Sequence, residues 1–241
     1  MRFPRLAKRL GPRQGRHESN SFFLSLRGVI DEESSMKIPL FVRDDNNIML
    51  SKEIVLDIET KNTFQDVGVY DPTKLSISVI GVYFYENDEY RAYEEDEFSE
   101  LWPRLERCER IIGYNSKSFD LPIMNNYYAG DFLQFPNLDI LEEIEKALGF
   151  RLKLDDVAAA SIGHGKSGHG LQAVEWWKQG EKEKVKKYCL DDVRVTKEVY
   201  EYGQKYNALA YIDRLGVRKG IPVDFCRKVQ AAPSINLTMP F

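Results

Sequence analysis

At 241 residues the chain suits one sizeable domain with extensions, or two small ones, and its apolar content of 43% with 30% charged residues excludes disorder throughout. A net charge of −4, from 34 basic and 38 acidic residues, gives no global attraction to nucleic acid. It does not exclude a nucleic-acid substrate, because local patches and bound cations set the field at a site. Three scattered cysteines with no CxxC pair argue against a disulfide framework or a cysteine zinc site and make a reducing cytoplasm the expected compartment. No apolar run approaches the roughly 20 residues of a membrane span, so no membrane association is expected.

Residues 1–47 read as a polar extension, 48–225 as the folded domain and 226–241 as an irregular tail. The first sixteen residues carry Arg2, Arg5, Lys8, Arg9, Arg13 and Arg16 and no acid. Three readings stand for this start: a poorly ordered basic arm able to touch nucleic acid nonspecifically, a beginning at Met36 instead, or an organellar transit peptide. Lys52–Ile58 predicts a buried strand. Leu75–Tyr85 (LSISVIGVYFY) predicts a second, and Glu89–Tyr93 returns as a third after the Asn87-Asp88 turn, which makes an antiparallel meander. Phe98–Cys108 has apolar residues at helical spacing, with Pro103 demanding a first-turn position or a kink. Arg110–Tyr114 is a short strand, and Leu121–Tyr128 a helix.

Leu141–Leu148 is a helix closed by Gly149, and Leu152–Ile162 is another. After the GHGKSGHG loop come helices over Gly170–Gln179 and Glu181–Tyr206, then a terminal hairpin over Leu209–Asp224 that turns around Val217–Gly220. Antiparallel strands first, then strands alternating with helices, predict a mixed α/β sheet flanked by helices.

Four acids in three settings carry the chemistry. Residues two apart on a strand share a face, so Asp57 and Glu59 of IVLDIET project together. Residues four apart on a helix are neighbours, with Cβ atoms roughly 5–6 Å apart, which pairs Tyr188 with Asp192 in YCLDD. Asp120 falls where a loop meets a helix, five residues after Asn115. Clustered carboxylates at about 4 Å repel by roughly 4 kcal/mol per pair at an effective dielectric near 20. Two divalent cations would balance that charge. Hard oxygen ligands point to Mg²⁺ or Mn²⁺ and not Zn²⁺, and two such ions suit phosphodiester hydrolysis. Each short pattern alone is weak: DxE recurs at Asp31–Glu33, and YxxxD at Tyr127–Asp131. Order and setting carry the inference.

Taken together, DxET, NxxxFD and YxxxD resemble the three exonuclease motifs of the DEDD (DnaQ-like) 3′–5′ exonucleases, which have a ribonuclease H-like fold. Tyr188 is similar to the tyrosine of the DEDDy branch. The stretch from GHGKSGHG to YCLDDVRVTKEVYEYG resembles the predicted exonucleases of the YprB type. The likeness spans roughly residues 50–225. It implies that Asp57, Glu59, Asp120 and Asp192 bind two divalent ions. It also implies that Tyr188 orients or deprotonates the attacking water, and a free tyrosine pKa of about 10 then requires metal charge nearby. Thr60 and Asn115 would hold the terminal nucleotide or a water. The implied substrate is the 3′ end of a single-stranded DNA or RNA. Polarity rests on the resemblance, and protein partners are unspecified. The competing class is a noncatalytic nucleic-acid-binding or scaffold module on the same fold.

Other features are weaker. GHGKSGHG fails as a phosphate-cradling NTPase loop because Ala160 stands where GxxxxGK[ST] needs its first glycine. Lys166 is either a contact to backbone phosphate or part of a solvated connector. His164 and His169 lack nearby partners for zinc. Phe119 reads as core more readily than as a base-stacking residue. Trp176 and Trp177 diverge by about 100° on a helix, so one is expected in the core and only the other could stack on a single strand. Asp191 points away from Asp192 and is read as structural.

Overall fold

The computed structural model describes residues 51–165 and 170–226. The extension over 1–47, Lys166, His169 and the tail beyond Cys226 lie outside the described residues. The central strand β1 (Glu53–Thr60) pairs antiparallel with β2 (Ile77–Phe84), which pairs antiparallel with β3 (Glu89–Tyr93). On its other side β1 runs parallel to β4 (Arg110–Gly113), and β4 runs parallel to β5 (Asn137–Asp139). The sheet order is therefore β3-β2-β1-β4-β5, the mixed arrangement expected from the sequence.

Apolar periodicity explains why β1 is central. Ile54, Leu56 and Ile58 enter one core cluster, with Leu101, Leu121 and Phe132, while Val55 enters another on the opposite face. A strand buried on both faces needs this near-continuous apolar run. The helices are α1 (Phe64–Val67), α2 (Phe98–Leu105), α3 (Asp120–Met124), α4 (Ile140–Leu148), α5 (Leu154–Ile162), α6 (Gly170–Lys178) and α7 (Lys182–Tyr206). Among the described residues, no helix is long and apolar enough to cross a membrane. A second, two-stranded sheet joins β6 (Ala208–Ile212) to β7 (Arg218–Pro222).

Two local expectations need correction, and two short elements were not expected. The hairpin turn lies at Asp213–Val217, upstream of Val217–Gly220. There the Asp213 carboxylate accepts from the N–H groups of Leu215 and Val217, both at 2.9 Å, and Gly216 takes a left-handed φ of 76°. The helix expected over Leu121–Tyr128 stops at Met124. Pro103 sits inside α2 beyond its first turn, which removes one of its two expected settings and leaves the kink as the expectation. Strand β5, only three residues long, and the single-turn α1 were not anticipated.

The C-terminal end of the domain is fastened by a buried polar network. Arg110 donates to Glu53 (2.8 Å), to the Tyr200 hydroxyl (2.6 Å) and to the carbonyl of Phe225 (3.1 Å), and the Tyr200 hydroxyl donates to Glu53 (2.8 Å). The Phe225 ring stacks on Tyr200 at 5.7 Å and lies against Gly203, where a Cβ would come within 2.2 Å of its edge. Gly203→Ala is therefore expected to cost about 1–3 kcal/mol through overpacking. Denaturant unfolding measures the loss, and an unchanged midpoint would show that Phe225 does not pack there.

Candidate active site

Strand β1 and helix α7 meet at the acids. Asp57 and Glu59 leave β1 on the face toward α7, while Ile58 between them packs into the core on the other face. Helix α7 comes close because β2 presents Gly81 directly opposite Asp57. A Cβ on Gly81 would stand 2.8 Å from Cys189 Sγ and 3.1 Å from Val193 Cγ2. Cys189 itself reaches the Asp57 carbonyl at 3.4 Å. Burial pushes its thiol well above the ordinary range, and Asp57, Glu59 and Asp192 add to that, so it acts as a small apolar spacer.

The result is a cluster in which oxygens of Asp57, Glu59 and Asp192 all lie within 4.8 Å of one another. Two unit charges at that separation repel by roughly 3.5 kcal/mol at an effective dielectric near 20. Three hard oxygen donors so placed fit a divalent cation of the Mg²⁺ or Mn²⁺ class. Among the described residues this is the one such group of three or more. His164 instead faces Glu198 at 3.3 Å.

Asp120, at the start of α3, stands beside this trio and outside it. Its Oδ1 accepts from the Ile58 N–H at 3.2 Å, between the two acids of β1. Burial, with the Asp139 charge adding to it, pushes the Asp120 carboxyl up to about 7 against the opposing backbone N–H donors at Asp120 and Ile58. A cation in the cluster would favour its charged form.

All four acids share one cleft of about 430 Å³ with Thr60, Asn115, Phe64 and Phe119. The Thr60 hydroxyl donates to the Asn62 carbonyl at 2.8 Å, which shapes the turn leaving β1. Asn115 adopts a left-handed φ of 67°. That conformation is held by Asp139, whose carboxylate accepts from the N–H groups of Asn115 (2.8 Å), Lys117 (3.1 Å) and Leu141 (3.0 Å) while capping α4. Arg151 donates to the Asn115 side-chain oxygen.

Tyr188 lies one turn before Asp192 on α7, and its ring is buried with Val79, Ala173, Val185 and Cys189. It meets Trp176 edge-on at 6.1 Å and is not among the residues lining the cleft. Neither tryptophan lines it either. Trp177 lies beneath the ammonium groups of Lys61 (5.7 Å) and Lys182 (5.2 Å). Asp191 approaches Arg194 at 3.8 Å. Sequence reasoning missed Phe64, Asp139 and Arg151. Asp139 had a usable signal, an acid immediately before a helical run, whereas the other two are placed only by chain folding.

A family model described as the RNase H superfamily matches residues 54–204, which takes in β1, Asp120 and the acid-bearing part of α7. The chain belongs to the RNase H superfamily. Its five-stranded mixed sheet with flanking helices is the ribonuclease H-like fold, and the acid cluster sits within the part matched to the superfamily. No curated protein matches the sequence. Among solved structures, this RNase H-like chain is similar to the family B DNA polymerase from the hyperthermophilic archaeon Pyrobaculum calidifontis. Identity is 21% and the TM-score 0.48, over 63% of this chain and 24% of the polymerase chain.

Proposed function

We propose that the protein is a metal-dependent 3′–5′ exonuclease of the DEDDy type, acting on the 3′ ends of single-stranded DNA or RNA and releasing nucleoside 5′-monophosphates. The observation that carries this reading is the meeting of Asp57, Glu59 and Asp192 within 4.8 Å in the wall of one cleft, with Asp120 beside them. The resemblance of the three motifs to those of the DEDD exonucleases supplies the polarity.

In this reading Asp57, Glu59 and Asp192 hold divalent cations, with Asp120 completing the set. When bound, such ions polarise a phosphodiester and provide a nucleophile near neutral pH. Thr60 and Asn115 shape the cleft that receives the terminal nucleotide. Tyr188 orients the attacking water, a role in which its hydroxyl must reach the cleft from the packed position beside Trp176.

Degradation of a 5′-labelled oligonucleotide with Mg²⁺ or Mn²⁺ tests the activity. Shortening from the 3′ end, loss with EDTA and resistance of a circular single strand are expected. Activity that survives EDTA, or cutting of the circle, would overturn the reading. Tyr188→Phe keeps the ring on Trp176 and removes only the hydroxyl. It is expected to lower kcat roughly a hundredfold while the protein stays folded. Full activity in that variant would remove Tyr188 from the mechanism and leave it as packing.

A further inference from the structure

A series of three aromatic rings begins in the acid cleft. Phe119 and Phe64 line the cleft together with Asp57, Glu59, Asp120 and Asp192. Their rings meet edge-on at 6.3 Å. Tyr70 then lies 4.2 Å from Phe64 with 35° between the planes, and it is 86% exposed.

The segment that carries this step is built to hold its place. Thr63 caps α1 while Asp66 reaches back to the Thr63 N–H at 2.8 Å, and Gly68 closes the turn at a left-handed φ of 73°. Lys178 of α6 bonds the same Asp66 carboxylate at 3.1 Å. Asp71 caps the next turn by accepting from the Thr73 N–H at 3.0 Å. Tyr70 is thus presented outward between two capped turns. Burial explains the rings of Phe64 and Phe119, both packed against the main core. It does not explain a tyrosine left almost wholly in water against Phe64, itself a wall of that cleft.

We propose that Tyr70, backed by Phe64, is a positioning residue on which a base of a single-stranded nucleic acid stacks, upstream of the terminal nucleotide in the acid cleft. This rests on the nuclease reading for its substrate class. Every base has a π-face, so such a step grips a strand without reading its sequence. It also favours single strands, because a base paired in a duplex has its faces already covered. Tyr70→Ala removes the platform and leaves Phe64, the acids and the core in place.

The test compares wild type, Tyr70→Ala and Tyr70→Trp on three substrates. These are a 5′-labelled twelve-residue oligothymidylate, the same strand with one abasic position next to its 3′ nucleotide, and thymidine 5′-monophosphate p-nitrophenyl ester. Tyr70→Ala is expected to lose roughly tenfold to a hundredfold in kcat/KM on the oligonucleotide. It should keep wild-type rates on the small ester, which has no upstream base. The abasic strand should cost wild type a similar factor and cost Tyr70→Ala nothing more. Tyr70→Trp should retain oligonucleotide activity. An equal loss on oligonucleotide and ester, or an oligonucleotide rate untouched by Tyr70→Ala, would overturn the proposal.

If wild type cleaves none of the three substrates, the exonuclease reading fails by itself, and binding decides the stacking step. Oligothymidylate should quench the fluorescence added by Tyr70→Trp, measured against wild type with Ca²⁺ present. No quenching, or equal quenching by a fully abasic strand, would overturn it.

Discussion

Asp57→Asn and Asp192→Asn are each expected to lower phosphodiester hydrolysis roughly a thousandfold, about 4 kcal/mol in transition-state terms. Asparagine preserves the volume of each side chain and removes its charge. The loss should therefore not come from unfolding. Three carboxylates within 4.8 Å repel one another, so neutralising one should raise the thermal midpoint of the metal-free protein. Added divalent cations should favour wild type instead. Ligand present at a hundred times its Kd stabilises a folded protein by about 2.7 kcal/mol. Wild type is expected to show such a rise with Mn²⁺, and each variant much less. A variant that keeps both its activity and the metal-induced rise would sink the acid cluster as the catalytic centre.

Gly81→Val is expected to damage fold and activity together, though Gly81 carries no chemistry. A Cβ there would press on Cys189 Sγ at 2.8 Å and Val193 at 3.1 Å, and valine adds two methyl groups beyond it. Helix α7 must then lift from β2, carrying Asp192 away from Asp57 and Glu59. Overpacking of this kind costs about 3 kcal/mol at the upper end of its usual range, and the separated acids should lose most of their metal-induced stabilisation. The milder Gly81→Ala provides the control. Its cost should shrink in a Cys189→Ala background, where the sulfur that would be struck is gone. A double-mutant cycle reads this coupling directly. Additive costs would mean that Gly81 and Cys189 do not set the spacing of helix and sheet.

Much of the site was legible because its rules are local. The parity of a strand placed Asp57 and Glu59 on one face, and the burial of Ile58 on the other follows from the same alternation. Helical spacing placed Tyr188 one turn before Asp192, and both are buried on α7. The mixed sheet was legible for a related reason, since β1, β2 and β3 each announce themselves by composition and by the turn between the last two. Other features were not. Strand β5 has three residues, too few for a periodic pattern, and exists because β4 offers it a parallel edge. Helix α1 is one turn long and depends on the exchange between Thr63 and Asp66. The hairpin turn was misplaced because the Asp213 side chain organises it from the strand end.

Tyr188 shows the limit of local spacing. Being four residues from Asp192 sets its helix face, yet its ring lies with Trp176 and outside the cleft lining. The direction of a long side chain is decided by what packs around it, here α6 and β2. Tyr70 is the converse case. Nothing in its neighbours along the chain marks it, and only the contact of its ring with Phe64, which meets Phe119 in the cleft wall, singles it out.

The sequence by itself determined which residues can act together on one element, because strand and helix periods are set by backbone geometry within a few residues. It therefore determined the acid pairs and the fold class. Only the tertiary structure decided how those pairs meet. The contact between Cys189 and Asp57 spans 132 residues of chain, and its closeness depends on one missing side chain at Gly81. Packing across the sheet is a property of three elements at once, so no single stretch of sequence contains it.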